Sequence, residues 1–326
     1  MLTIPETFKL TTLYNSLIGL SRVARFRRNF IGSSILIILI GLSHQTHATL
    51  REFETTRLKS TAGTGVGSIL MDEATSLNPA SIGFYQVSSL YFQKIEGEVT
   101  HQDSPTTDPS NQQFRDIAVI ASDASKGTAG SISYVDQKRG PEKRRLFAVS
   151  LARPVSEKSS LGITYRRGKE TIYPKSSSEL VTDRYQEFSL GASHAINENF
   201  SLGVLLDDPL QRHDNPTKGT IGFQYIFQEY ISLMLDVGGD YSKDLATDFH
   251  YRGGVQVKFF NDFYLRAGAF RDEILDETGS GAGLGWVGPR LVLEVGVKNT
   301  TVEEVPERDQ DGEKVSETSF SLALKF

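Results

Sequence analysis

The sequence predicts an all-β fold: a transmembrane, antiparallel, up-and-down β-barrel of about fourteen strands, preceded by an N-terminal plug segment. Three observations support this prediction. Polar and apolar residues alternate with a period of two from about residue 85 onward, the connections between these segments sort into short and long ones, and the chain ends on an aromatic residue. The composition agrees, because 29 Gly, 19 Phe and 12 Tyr among 326 residues favour strands over helices.

Residues 1–48 have the order of an export signal. Arginines between Arg22 and Arg28 precede an apolar run from Ile31 to Leu42, and a short polar stretch then ends on the small residue Ala48. Basic, apolar and small residues in that order are typical of a secretory signal, and 12 apolar residues are few for a bilayer core of about 30 Å. We predict cleavage near Ala48 and location in the outer membrane of a Gram-negative (diderm) bacterium. An uncleaved signal anchor is the alternative.

Several kinds of chemistry have no candidate residues in the sequence. There is no cysteine, so disulfides and thiolate sites are excluded, and the formal net charge of −5 gives no basic footprint for nucleic acid. No two of the four histidines after residue 48 have a metal-ligand spacing, and no Gly-x-Ser-x-Gly elbow is present. We therefore expect no catalytic residue, no metal, no cofactor and no enzymatic activity.

Residues 49–84 do not alternate and form the predicted plug. Glycines at positions 63, 65 and 67 are followed by Asp72-Glu73-Ala74, and Asn78, Pro79 and Ala80 stand just before the first strand. This arrangement resembles the N-terminal plug of the FadL-type long-chain fatty-acid transporters and of the related PorV-type outer-membrane proteins. The match covers about 20 residues, and the Asp-Asp of the family is Asp72-Glu73 here. The resemblance implies a fourteen-stranded barrel closed by a small hatch, with Asn78, Pro79 and Ala80 as plug residues; a simple turn is the alternative for this triplet.

Residues 85–326 form the predicted barrel. In one segment, Phe249, Tyr251, Val255 and Val257 fall on one face, and polar residues such as Gln256 fall on the other. The predicted strands are 85–97, 114–121, 128–136, 144–152, 159–168, 183–195, 199–206, 217–227, 230–238, 247–259, 262–271, 278–287, 289–298 and 315–326. Most are long enough to cross a bilayer at a tilt of about 45°.

The connections alternate between a tight class and a long, polar class. Tight turns are predicted around residues 123–126, 155–158, 197–198, 228–229, 260–261 and 288. Long loops are predicted around residues 100–113, 137–143, 169–182, 207–216, 239–246, 272–277 and 299–314. Short turns on one rim and long loops on the other are typical of outer-membrane barrels, whose short turns face the periplasm.

The two faces of each strand have different predicted environments. The apolar face points to lipid and the polar face lines the lumen. The predicted lumen residues are Arg166, Asp236, His250, Arg252, Lys258, Arg266, Glu294 and Lys298. Both signs of charge are present, which fits an ionic network or a selectivity filter, and also charge pairs that only solvate the interior. Aromatic residues near strand ends are predicted to form interfacial girdles: Tyr85, Tyr185, Tyr230, Tyr241, Phe263 and Trp286.

The C-terminal residue, Phe326, ends an alternating strand. Such a final strand is the signal that the barrel-assembly machinery reads, so this machinery is an expected partner, together with outer-membrane lipid and lipopolysaccharide.

The resemblance implies passage of hydrophobic small molecules, such as long-chain fatty acids, across the outer membrane. This hypothesis predicts an apolar pocket between the long loops and the plug, and a local gap in the barrel wall. The alternatives are a PorV-like barrel that binds or anchors a secreted partner protein, and a structural or diffusive porin.

Overall fold

The computed structural model describes residues 50–70, 72–101, 112–125, 127–172, 179–211, 217–243, 248–304 and 312–326. The predicted signal region, residues 1–48, lies outside the described residues, and cleavage near Ala48 stays a prediction.

Fourteen strands within the described ranges form one closed barrel. Each strand pairs antiparallel with its neighbours in chain order, and the last strand pairs with the first, which confirms the predicted fold class. The strands are β1 (Ser88–His101), β2 (Gln112–Asp123), β3 (Ala129–Arg139), β4 (Glu142–Ser156), β5 (Ser159–Ile172), β6 (Val181–Ala195), β7 (Phe200–Asp207), β8 (Lys218–Phe227), β9 (Ile231–Asp240), β10 (Phe249–Phe259), β11 (Phe263–Asp272), β12 (Glu277–Val287), β13 (Leu291–Val302) and β14 (Glu313–Lys325).

The barrel closes where β1 meets β14. Ser89 lies opposite Lys325, and the backbone groups of Ser88 and Phe326 exchange two hydrogen bonds of 3.0 Å each. Closure leaves no unpaired sheet edge, which a hydrocarbon environment requires. The C-terminal Phe326 is therefore part of the closing seam; its reading by the assembly machinery stays a prediction.

The outer surface of the barrel is apolar. On β9, Leu233, Leu235 and Val237 are 51%, 49% and 45% exposed, whereas Met234 and Asp236 between them are buried. Large exposed aliphatic and aromatic side chains continue around the other strands in the same alternation. An apolar surface of this extent is unfavourable in water and indicates that the barrel spans a membrane.

One predicted long loop is wrong. The chain between β3 and β4 was predicted to form a long polar loop around residues 137–143, but only Gly140 and Pro141 separate the two strands. The charged residues of this stretch belong to the strands, because Arg139 and Glu142 point inward and are buried. Gly140 has a φ of 55°, which suits a two-residue hairpin turn.

The segment before the barrel contains two short helical elements. Helix α1 (Thr56–Ser60) is capped by the Thr55 hydroxyl, which accepts a hydrogen bond from the Leu58 N–H at 3.3 Å. A 3-10 helix follows at Pro79–Phe84. The first packs against β11–β14 and the second against β3–β6, so the segment crosses the lumen from one side of the barrel to the other.

The predicted aromatic girdles are correct in part. Tyr230, Tyr241 and Phe263 are exposed on the outer surface. Tyr185, by contrast, points inward and is buried against Gly168, its partner on β5, because that glycine leaves room for a ring. Tyr85 also points inward, and its hydroxyl donates to the Ile69 carbonyl at 2.8 Å.

Candidate functional site: the plug and the barrel lumen

Glycines on the inner barrel wall allow the plug to lie directly against it. A Cβ atom on Gly203 of β7 would lie 1.9 Å from the Val66 carbonyl oxygen, and one on Gly281 of β12 would lie 1.9 Å from that of Lys59. No side chain fits in such a gap. Part of the high glycine content is thus explained by close approach of two backbones.

Asn78, Pro79 and Ala80 join two parts of the plug to the wall. The Asn78 amide nitrogen donates to the Val66 carbonyl at 2.9 Å and to the Ala192 carbonyl of β6 at 3.2 Å. Its amide oxygen accepts from the Ala80 N–H at 3.1 Å, which caps the 3-10 helix that begins at Pro79. Asn78 thereby connects the glycine-rich segment, the 3-10 helix and β6.

Asp236 of β9 also holds the glycine-rich segment. Its carboxylate accepts hydrogen bonds from the N–H groups of Gly65 at 2.7 Å and Val66 at 3.1 Å, and the residue is fully buried. Gly65 has a φ of +154°, where a side chain is strained. A buried carboxylate that receives two backbone N–H groups is strongly bound to that segment.

Helix α1 is held by ion pairs to the wall. Lys59 contacts Glu317 of β14 at 2.8 Å, and both side chains are buried. Arg57 lies 3.5 Å from Glu294 of β13, which also contacts Arg266 of β11 at 2.9 Å. These groups are charged and desolvated, so removing one partner would leave an uncompensated buried charge.

A second ionic group surrounds Glu54 of the plug. Lys298 of β13 contacts both carboxylate oxygens of Glu54 at 2.7 Å. Arg252 of β10 donates to the Gly63 carbonyl at 3.3 Å and lies 4.0 Å from Asp272 of β11.

The other predicted lumen residues also point inward, in different ways. Arg166 of β5 donates to the Thr75 carbonyl of the plug at 3.0 Å. His250 is buried and its Nε2 lies 3.1 Å from the Thr220 hydroxyl, so it contacts the wall. Lys258 is half-buried on the same face of β10.

The plug carboxyl groups differ in the direction of their pKa shifts. Burial acts to raise the pKa of Glu54, but Lys298 and Lys59 outweigh it, so this pKa lies below its usual range. Burial raises the pKa of Asp72 and that of Glu73, even though Arg57 acts in the opposite direction. Glu54 therefore has a stronger preference for the ionised form than Asp72 and Glu73.

Several partners in this network were not among the predicted residues: Glu54, Arg57, Lys59, Glu73, Lys218, Asp272 and Glu317. On the barrel side, the alternation of polar and apolar residues could have identified these partners. Glu317, for example, lies on the same face of its strand as Ser319 and Ser321. In the plug, polar and apolar residues do not alternate, so the sequence does not show which side chains face the barrel wall.

One part of the lumen is apolar. The inner faces of β1, β2 and β3 carry Tyr91, Ile95, Phe114, Ile120 and Val135, which form a buried cluster with residues of β13, β14 and the plug. We call these apolar positions of β1–β3 the apolar wall; buried polar side chains, among them Gln93, Asp116 and Arg139, lie between them on the same inner faces. Strand β2 is apolar on both faces between Ile117 and Ala121, so its sequence does not alternate there.

The pairing of β2 with β3 is irregular beside the apolar wall. Phe114 pairs with Arg139, and Ile117 pairs with Asp136. The two positions between these pairs on each strand are not paired. The Asp116 carboxylate accepts instead from the Lys138 N–H at 3.1 Å. A side chain thus replaces part of the backbone ladder at this point of the wall.

Two cavities lie between the plug and the wall. A cavity of about 40 Å³ near the long-loop rim is lined by Glu52, Glu54, Lys218 and Arg252 beside apolar groups, so it is charged where an apolar pocket was predicted. A cavity of about 150 Å³ nearer the short-turn rim is lined by polar groups and by Ile69, Leu70, Met234, Tyr264 and Val287.

Across the described ranges, no group of three or more His, Asp or Glu is arranged to hold a metal ion. The helices in those ranges are also too short or too polar to cross a bilayer.

The barrel is similar to solved structures of hydrophobic-compound channels. The CymD monoaromatic hydrocarbon channel matches with a TM-score of 0.63 and 12% identity over 83% of this chain and 97% of that one. The Ralstonia pickettii toluene transporter TbuX matches with a TM-score of 0.62 and 11% identity over 84% and 99%. A Pseudomonas aeruginosa FadL homologue matches with a TM-score of 0.54 and 14% identity over 83% and 98%.

These likenesses confirm, at the level of the fold, the resemblance to FadL-type proteins that the sequence predicts. No family model and no curated protein sequence matches the chain.

Proposed function

We propose that the protein is an outer-membrane channel through which hydrophobic small molecules pass, and that it is not an enzyme. The observation that carries the proposal is the apolar wall, which places a cluster of large apolar side chains on the inside of the barrel among polar and charged groups. Contact with apolar side chains does not stabilise an ion or a sugar, but it lowers the free energy of an apolar solute that moves there from water.

The route begins at the long-loop rim and follows the apolar wall. The plug blocks the direct path through the lumen, because its backbone touches the wall at Gly203 and Gly281. From the rim, a solute on the apolar wall passes the irregular pairing of β2 and β3, where Asp116 replaces part of the ladder, and then reaches Val135 and Ile120.

The larger cavity lies against β8–β12 and has room for a compact solute, and its lining includes Arg57 and Arg266 beside apolar groups. Its volume is about 150 Å³, and a cavity of about 150 Å³ in another protein is known to bind benzene. The solved structures of similar fold include a toluene transporter and a monoaromatic hydrocarbon channel. We therefore place single-ring hydrocarbons beside long-chain fatty acids among the solutes to be tested.

The experiment is uptake of radiolabelled toluene and of a radiolabelled long-chain fatty acid by cells that lack their own channels for these compounds. The cells express the wild-type chain, Ile120→Asn or Ile120→Val, and immunoblots verify equal amounts in the outer membrane. We expect uptake with the wild type and with Ile120→Val, and uptake near that of the empty vector with Ile120→Asn. An amide on the apolar wall raises the barrier because the solute must pass a polar group.

Absence of uptake with correctly inserted wild-type protein would contradict the proposal. The remaining hypotheses then separate by two further measurements. A diffusive porin would conduct ions in planar bilayers, and a barrel that binds a secreted protein would retain that protein during purification.

A further inference from the structure

The outer surface of β3–β6 carries a group of basic side chains at the long-loop rim. All are exposed and lie on the outward-facing positions of their strands. We call this group the basic patch; it consists of Lys138, Lys143, Arg145, Arg167, Lys169 and Arg184. It stands out because the predicted mature chain has more acidic than basic residues.

The strand register places like charges next to each other in this patch. Arg145 lies opposite Lys169, and Lys169 lies opposite Arg184, so three cations form a row across β4, β5 and β6. Lys138 likewise lies opposite Lys143. Like charges directly across a sheet repel each other, and an anion bound between them would remove that repulsion.

The protein itself supplies little negative charge there. Asp136 lies 3.6 Å from Arg145 and 3.5 Å from Lys138. Within the described ranges, the side chains of Lys143, Arg167, Lys169 and Arg184 form no ion pair with a carboxylate. Elsewhere at the same rim cations are paired, as Lys243 is with Asp240 at 3.8 Å.

The patch begins where the apolar band ends. The outward residues Tyr134, Phe147, Tyr165 and Phe188 form an aromatic row just below it, and the rings of Tyr165 and Phe188 are 5.2 Å apart. The basic residues follow two to four positions further along each strand, a distance of roughly 7–13 Å at about 3.3 Å per residue. Aromatic rows mark the membrane interface, so the patch lies at the level of lipid headgroups.

We propose that the basic patch binds the phosphate groups of one lipopolysaccharide molecule, whose acyl chains pack against the aromatic row. The argument combines charge complementarity with continuity between the patch and the lipid-facing surface. A headgroup with several phosphates matches a row of three cations of which, among the described residues, only Arg145 has a carboxylate neighbour, whereas a phospholipid with one phosphate neutralises only one of them. The long-loop rim faces the leaflet in which lipopolysaccharide lies.

The test uses the purified full-length protein in nanodiscs and fluorescent lipopolysaccharide as the probe. One variant replaces four patch residues: Arg145→Gln, Arg167→Gln, Lys169→Gln and Arg184→Gln. The matched control removes the same number of charges outside the patch: Lys94→Gln, Lys243→Gln, Arg271→Gln and Lys314→Gln. Dephosphorylated lipopolysaccharide and phosphatidylglycerol serve as competitors, and heat-modifiable migration verifies folding of both variants.

Each basic residue near an anionic surface strengthens binding roughly fivefold, so we expect the patch variant, which lacks four of them, to bind on the order of 500-fold more weakly. The control should stay within about twofold of the wild type. Equal weakening of both variants would overturn the proposal, as would binding that survives dephosphorylation of the probe. Equal competition by phosphatidylglycerol would show general attraction to anionic lipid and would also overturn it.

Discussion

Two sides of the lumen have opposite chemistry although the outer surfaces of both are apolar. The apolar wall on β1–β3 offers Ile95, Ile120 and Val135 to the interior. The inner face of β9–β11, which we call the charged wall, offers Asp236 and Arg266 together with His250, Arg252 and Asp272. We propose separate tasks: the charged wall holds the plug through ion pairs and hydrogen bonds, and the apolar wall is the surface along which an apolar solute moves.

The plug reflects this division. Its backbone N–H groups at Gly65 and Val66 bind Asp236 of the charged wall, whereas Phe53 packs into the cluster of the apolar wall. Hydrogen bonds to a carboxylate are directional and fix one position, but apolar contacts tolerate small shifts. The two walls can therefore be tested separately, because changes on one should leave the function of the other intact.

The largest effect is expected on the outer side of the charged wall. Leu235 faces the lipid, and Leu235→Arg would place a charge near the middle of the bilayer at a cost of about 2–4 kcal/mol. We expect loss of assembled protein and of heat-modifiable migration. Leu235→Ala is the control for lost volume and should still assemble. Normal assembly of Leu235→Arg would mean that the two faces of β9 are assigned wrongly.

The next largest effect concerns the inner side of the same strand. Asp236→Leu leaves the N–H groups of Gly65 and Val66 buried without an acceptor, which costs about 1–3 kcal/mol each. We expect a released plug, a several-fold rise in single-channel conductance, and assembly of the barrel as in the wild type. Asp236→Asn keeps one acceptor oxygen and should have a smaller effect.

Exposure of the plug can be measured directly because the chain has no cysteine. Ser68 is buried in the plug, so Ser68→Cys provides one reporter thiol. Its labelling by a thiol reagent should be slow with Asp236 and at least tenfold faster with Leu at that position. Unchanged labelling would mean that Asp236 does not hold the plug.

The barrel and the plug differ in how far the sequence alone predicts them. A strand that faces lipid on one side and polar groups on the other alternates, so fourteen strands and the inward position of Asp236 follow from the pattern. The pair of Glu54 and Lys298 does not follow, because 244 residues separate them and the plug has no period. The apolar wall could have been predicted in part from the run Ile117 to Ala121. Consecutive apolar residues in a strand make both of its faces apolar.

A smaller effect is expected from a substitution on the apolar wall. This substitution tests whether solute uptake can change while the plug stays bound. Val135 is buried on the inner face of β3, and Val135→Thr keeps its shape while adding a hydroxyl. We expect solute uptake to fall about threefold to tenfold, because the added hydroxyl must be desolvated for each passage. Labelling of Ser68→Cys should stay unchanged. Faster labelling would show that the two walls are not independent.

The smallest change in conductance at neutral pH should come from Lys298→Gln. The conductance of this variant should also respond to acid in the opposite direction from that of the wild type. In the wild type the pKa of Glu54 is depressed, so its contribution to plug binding is complete above about pH 4.5, the pKa of a free carboxyl group. It is lost only as the pH falls through the lower pKa of the bound plug. Wild-type conductance should therefore be low and constant from pH 7 to 5 and rise only in stronger acid.

Without Lys298, burial of Glu54 is opposed mainly by Lys59 and Arg252, and its carboxylate is less well compensated. Protonation then favours the bound plug instead of weakening it, because the neutral acid costs less to bury. Conductance of Lys298→Gln should be moderately raised at pH 7 and should decrease between pH 7 and 5. Glu54→Gln with native Lys298 is the control for the pH responses of Asp72 and Glu73, and the decrease in conductance of Lys298→Gln should exceed that of this control. A parallel response of wild type and Lys298→Gln would show that this ion pair does not hold the plug against its wall.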